Sequence, residues 1–142
     1  MADPALTRPA LSGLNHITLA CTDLARSIAF YRDLLGARLR AEWPGGAYLE
    51  IGPVWLCLTL APSVAPRSDY SHIAFETADT GFDRLAKAIA ASAEIWQENS
   101  SEGASLYFLD PDGHRLELHR GSLASRLAHY RANPGKGVTV YD

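Results

Sequence analysis

The chain reads as two halves with the same order of elements, and that repeat limits the folds open to it. Asn15-His16-Ile17-Thr18-Leu19 opens one half and Ser71-His72-Ile73-Ala74-Phe75 opens the other. Across residues 14–20, apolar Ile17 and Leu19 alternate with His16 and Thr18, the period-two pattern of a half-buried strand. Thr22 and Asp23 offer helix N-caps, Leu24, Ile28, Tyr31, Leu34 and Leu35 follow at helical spacing, and Gly36 is placed to end the helix. Residues 37–43, 47–51 and 54–60 then read as three strands, parted by Pro44-Gly45-Gly46 and Gly52-Pro53.

After a Pro- and Ser-rich linker at 61–69, the order recurs. Residues 70–76 read as a strand, and Thr80 with Asp83 resembles a capping box. Phe82, Leu85, Ala86 and Ile89 then stripe a helix to about Ala91. Residues 93–97, 104–109 and 114–119 are strand candidates, with Asp110-Pro111-Asp112-Gly113 as a turn between the last two. A last helix runs from Leu123 to Tyr130, and the final dozen residues read as a tail or a partner-clasping arm. The expected organisation is one α+β domain spanning 1–142, with βαβββ modules at about 11–61 and 70–120 and a C-terminal helix at about 122–131.

Aligning the halves places His16 on His72 and Trp55-Leu56-Cys57-Leu58 on Arg115-Leu116-Glu117-Leu118, so Cys57 falls on Glu117. A pseudo-twofold would gather these four side chains. His16, His72 and Glu117 form a ligand set for a divalent ion that leaves positions open to substrate. Cys57 is expected to be a small buried hydrophobe beside them.

Composition narrows the partners. A net charge of −3 argues against nucleic acid. Met1 to Pro9 carries two prolines and no apolar run, and no window is long enough to span a membrane. Two cysteines, Cys21 and Cys57, both in apolar segments, suit a reduced, cytoplasmic setting better than a disulfide framework.

Several stretches together resemble the vicinal-oxygen-chelate superfamily, the glyoxalase, bleomycin-resistance and dioxygenase group. Within it the chain is most similar to the fosfomycin-resistance proteins of the FosA type, from about Leu11 to Tyr130. They include Gly13-Leu14-Asn15-His16-Ile17-Thr18-Leu19, the run Ser27 to Gly36, Gly46-Ala47-Tyr48-Leu49-Glu50 and Trp55-Leu56-Cys57-Leu58. Asp69-Tyr70-Ser71-His72, Ser101-Glu102-Gly103 and the run Tyr107 to Glu117 complete them. The resemblance implies cupped sheets whose modules pair across a homodimer. It implies a Mn2+-dependent transfer of glutathione to the epoxide of fosfomycin, or to a related small epoxide or anion, another divalent ion being an alternative to Mn2+. The implied metal ligands are His16, His72 and Glu117. The implied substrate contacts are Thr18, Trp55, Gln97, Ser101, Tyr107 and Arg126, and Tyr48 is the residue that helps deprotonate the thiol. Asn99, Ser101, Gly103 and Ser105 match a loop that holds K+.

Two positions depart from that pattern. Gln97 stands where the family usually has Lys, and Ser100 where an Arg is common. Gln can hydrogen-bond a phosphonate but cannot neutralise it. The loss of a charge-assisted bond predicts binding weaker by roughly ten- to a hundred-fold. Rival readings are an Fe(II) extradiol dioxygenase or a glyoxalase-like enzyme, an epoxide hydrolase for which Glu42 and Glu50 are poorly placed bases, and a metal-free drug-binding module.

Overall fold

The computed structural model describes residues 8–99 and 103–142. Among the described residues, eight strands form two four-stranded sheets, ordered β1-β4-β3-β2 and β5-β8-β7-β6. The first contains β1 (His16–Cys21), β2 (Arg38–Trp43), β3 (Gly46–Ile51) and β4 (Val54–Leu60). The second contains β5 (Ile73–Phe75), β6 (Ile95–Gln97), β7 (Ala104–Leu109) and β8 (Arg115–Arg120). In each sheet the opening strand runs parallel to the fourth of its module, and the remaining pairs are antiparallel.

The first helix, α1 (Leu24–Ala29), starts where the Asp23 side chain accepts the Arg26 N–H at 3.0 Å. It widens into a π-helical turn at Phe30–Leu34 and stops at Gly36, whose φ is 80°. The second, α2 (Phe82–Ser92), corrects the sequence reading. A 3-10 turn at Asp79–Gly81 leads into it, Gly81 takes the N-cap without a side-chain bond, and Asp83 pairs with Arg120 at 3.3 Å. Thr80 is thus not the cap. Strand β5 is also shorter than residues 70–76. The Asp69 carboxylate accepts the Ser71 N–H at 2.9 Å, and Arg115 donates to the Asp69 carbonyl, so side chains replace ladder bonds there. The last helix, α3 (Leu123–Ala132), opens with reciprocal Ser122–Ser125 capping bonds. Among the described residues no helix is long and apolar enough to cross a membrane.

Each helix covers one face of its sheet, and the two covered faces share one core. Leu49, Leu56, Leu58, Ile89, Phe108 and Leu116 are buried in it. Tyr31 is fully buried and donates its hydroxyl to Asp110 Oδ2 at 2.7 Å across the two halves. Burial, first of all, with Asp110 beside it, pushes the Tyr31 hydroxyl well above the ordinary tyrosine range. A second tie joins β1 to the turn before β8. Asp112 accepts from the Thr22 N–H at 3.1 Å and the Thr22 hydroxyl at 2.6 Å. The opposite face of each sheet carries the side chains singled out in the sequence.

Candidate metal centre and substrate face

On β8 the core takes Leu116 and Leu118, so Arg115, Glu117 and His119 fall on the open face. Glu117 is only 6% exposed, between Ala74 on β5 and Tyr107 on β7. Just before β5, His72 Nδ1 lies 2.8 Å from the Tyr70 carbonyl. A carbonyl only accepts, so Nδ1 carries the hydrogen and Nε2 is left with the lone pair that a metal ligand needs. That Nε2 lies 3.0 Å from Glu117 Oε1. Two ligands at right angles on an octahedral ion, with bonds of about 2.1 Å, stand about 3.0 Å apart, so the pair fits a shared divalent ion.

The first sheet holds the matching half. His16 Nδ1 donates to Asn15 Oδ1 at 2.7 Å, which again leaves the lone pair on Nε2. Its ring lies 4.6 Å from that of Trp55, its register partner. Thr18 is opposite Cys57, which is buried, and Tyr48 is opposite Cys57 on the other side. Tyr107 is opposite Glu117 in the same way, so Tyr48 and Tyr107 hold equivalent places in the two sheets. Trp43, Tyr48 and Trp55 form an exposed edge-to-face row, with centroids 4.9 and 5.2 Å apart.

The predicted residues therefore divide between two clusters. His16, Thr18, Tyr48 and Trp55 share the open face of the first sheet. His72, Ser105, Tyr107 and Glu117 share that of the second. Gln97, on β6 beside this cluster, donates its amide to the Tyr70 hydroxyl at 3.0 Å. Arg126 reaches the cluster from α3, with Nη2 3.4 Å from His119 Nε2. Asn99 donates to the Gly103 carbonyl at 3.0 Å, and Ser101 lies outside the described residues. Within one chain, among the described residues, no three His, Cys, Asp or Glu side chains are arranged to hold a metal ion. Contacting residues that escaped the sequence reading include Asn15 and Tyr70, which orient the histidines, and His119. Strand alternation alone puts His119 on the face of Glu117, and that was the available signal.

Arg115 stacks over Trp96 at 4.9 Å, keeping a permanent cation at the rim of the second cluster. Trp96 also packs against His72 and Tyr107 at 5.6 and 5.2 Å and donates to the Leu116 carbonyl at 3.0 Å, which closes the floor beside the histidine.

Residues 13–118 match the family model described as the Glyoxalase/Bleomycin resistance protein/Dioxygenase superfamily. The chain is 50% identical over 133 residues to the glutathione transferase FosA of Serratia marcescens, covering 90% of this chain and 94% of that one. It is 40% identical over 129 residues to the metallothiol transferase FosB of Staphylococcus epidermidis, covering 85% and 92%. The crystal structure of the fosfomycin resistance protein FosX of Listeria monocytogenes, complexed with Mn(II) and sulfate, superposes with a TM-score of 0.75 at 34% identity, covering 85% of this chain and 99% of that one.

Proposed function

The chain belongs to the glyoxalase/bleomycin resistance protein/dioxygenase superfamily and, within it, to the fosfomycin-resistance enzymes, and from that premise we propose a metal-dependent thiol transferase that opens the epoxide of fosfomycin with glutathione. The observation that carries this reading is the His72–Glu117 pair at 3.0 Å, with both candidate histidines turned to offer Nε2. His16, His72 and Glu117 would hold the ion, and the Mn(II) of the solved relative supports Mn2+. Such an ion supplies Lewis-acid polarisation of the epoxide oxygen.

The two clusters lie on different sheets, so the assembly that unites them is a homodimer pairing the first sheet of one chain with the second sheet of its partner. The exposed aromatic row supports it, because pairing removes that row from water. In the joined site Thr18, Trp55, Gln97, Ser101, Tyr107 and Arg126 bind and orient the phosphonate. Arg126 supplies charge-assisted hydrogen bonds. Tyr48 takes part in removing the thiol proton. As the sulfur–carbon bond forms the carbon–oxygen bond breaks, and the released oxygen takes up a proton. Asn99, Ser101, Gly103 and Ser105 are the candidate K+ loop. Identity of 50% to a glutathione transferase, against 40% to a metallothiol transferase, supports glutathione as the donor. Two buried free cysteines fit a reduced cytoplasmic location.

The test is 31P NMR of fosfomycin with purified protein and Mn2+, with glutathione, with another small thiol, and with no thiol. A new phosphonate resonance that requires glutathione supports the reading. Turnover without thiol reassigns the nucleophile to water, and no turnover in any arm overturns the activity.

A further inference from the structure

His119 belongs neither to the ligand set nor to the substrate contacts, yet hydrogen bonds hold it on both sides. Its Nδ1 is 2.7 Å from Ser105 Oγ and 3.3 Å from Glu117 Oε2, and Ser105 Oγ donates to Glu117 Oε2 at 2.6 Å. On the other side of the ring, Arg126 Nη2 stands 3.4 Å from Nε2. A guanidinium has no acceptor, so Nε2 presents its lone pair and the ring hydrogen sits on Nδ1. Nδ1–H then donates to Ser105, and the serine hydrogen is left to Glu117. Every bond from Arg126 to Glu117 runs in one sense. Glu117 Oε2 is taken up by the serine, while Oε1 faces His72 Nε2 at 3.0 Å.

The backbone makes a slot for this ring. A Cβ at Gly103 would lie 3.0 Å from His119 Cε1 and 2.4 Å from the Arg120 carbonyl, and a Cβ at Gly121 would lie 2.8 Å from His119 Nε2. Both glycines have positive φ, 82° and 144°, so side chains are disfavoured there twice over. A ring packed between two backbones and bonded at both nitrogens is fixed in tilt as well as in tautomer.

We propose that His119 is a positioning residue: together with Ser105, which bridges the two, it fixes the Glu117 carboxylate so that Oε1 alone is offered to the metal ion. This rests on the metal-centre reading above. With the imidazole removed, the Ser105 hydroxyl can rotate and Glu117 is free to turn its other oxygen. Loss of such a supporting partner typically weakens metal binding by roughly ten- to a hundred-fold.

The experiment titrates the purified protein with Mn2+ and reads the free ion by electron paramagnetic resonance, for the wild type and for His119→Asn, His119→Gln and His119→Ala. The Asn amide N–H falls near Nδ1 and keeps the donor to Ser105. The Gln amide falls near Nε2 and leaves Ser105 without one. Asn is expected to stay within about three-fold of the wild-type affinity, and Gln and Ala to lose roughly ten- to a hundred-fold. A role in packing alone predicts the reverse order, since Gln is nearer to His in volume. Adding Ser105→Ala to His119→Gln should cost little more, because both break one chain of bonds. Wild-type affinity in all three variants, each folded by circular dichroism, overturns the inference and leaves the metal centre standing. A wild type that binds no Mn2+ overturns the metal centre and the inference with it.

Discussion

Gln97 shows how much one side chain sets at this site. Its amide already reaches the Tyr70 hydroxyl at 3.0 Å, so a lysine there could keep a donor on Tyr70 and add the charge that is usual in the family. Gln97→Lys should lower the KM for fosfomycin by roughly five- to thirty-fold, about 1 to 2 kcal/mol, because the ammonium must also surrender hydration and side-chain freedom. The gain should shrink with added salt, and Mn2+ affinity should not move. An unchanged KM in a folded variant would place Gln97 away from the anion. Tyr48 carries a different expectation. Tyr48→Phe keeps the ring between Trp43 and Trp55 and removes only the hydroxyl. At neutral pH kcat should fall by about ten- to a hundred-fold, the usual size of a proton-transfer contribution. The deficit should close as pH rises past about 8.5, where thiols ionise unaided. A deficit that persists at high pH would remove Tyr48 from the proton path.

Among the elements, the turn before β8 does more than reverse the chain. Asp112 has a side chain only 3% exposed and holds Thr22 through backbone and hydroxyl, with Arg26 3.4 Å away. Asp112→Ala leaves a backbone N–H without its acceptor and should cost about 1–3 kcal/mol in denaturant unfolding. Burial pushes the Asp112 carboxyl up, but the Thr22 hydrogen bonds and Arg26 outweigh it, and its pKa is lowered. The unfolded chain therefore binds the proton first as pH falls. The stabilisation is complete above the ordinary Asp value of about 3.9 and fades as pH drops through the lower folded value. Wild type and variant should thus converge in stability in strong acid; a constant gap would deny Asp112 that role. This tie was only partly legible. Asp-Pro-Asp-Gly announced a turn, but not its partner some ninety residues away in sequence. Alternation of Ile17 and Leu19 with His16 and Thr18 was enough to place β1, because one buried face dictates the register. The start of α2 was misread because Thr80 has a cap's chemistry, while the 3-10 turn that displaces it depends on tertiary contacts. The π-helical turn after Ala29 left no mark in a pattern scored at helical period.

At the scale of the whole molecule, the candidate ligand set could be named from the sequence, but not the place where its members would meet. The repeat paired His16 with His72 and Cys57 with Glu117, and the strand registers are equivalent under that alignment, Ile17 beside Leu56 and Ile73 beside Leu116. In the proposed homodimer, which face meets which is decided between chains, and such pairing leaves no local signature. A His16→Ala chain and a His72→Ala chain should each be inactive alone, and their heterodimer should regain about half of the activity of the parent, one intact centre of two. Verified heterodimers without activity would exclude shared sites. The placement of the indoles has an optical consequence. The chain has three tryptophans, and Trp55 stacks on His16, Trp43 follows through Tyr48, and Trp96 packs on His72. None lies in the helical layers, so intrinsic fluorescence reports the two open faces rather than the core. Paramagnetic Mn2+ should quench it on binding, and, if the proposed dimer holds, emission lost on dilution need not mean that either module has unfolded.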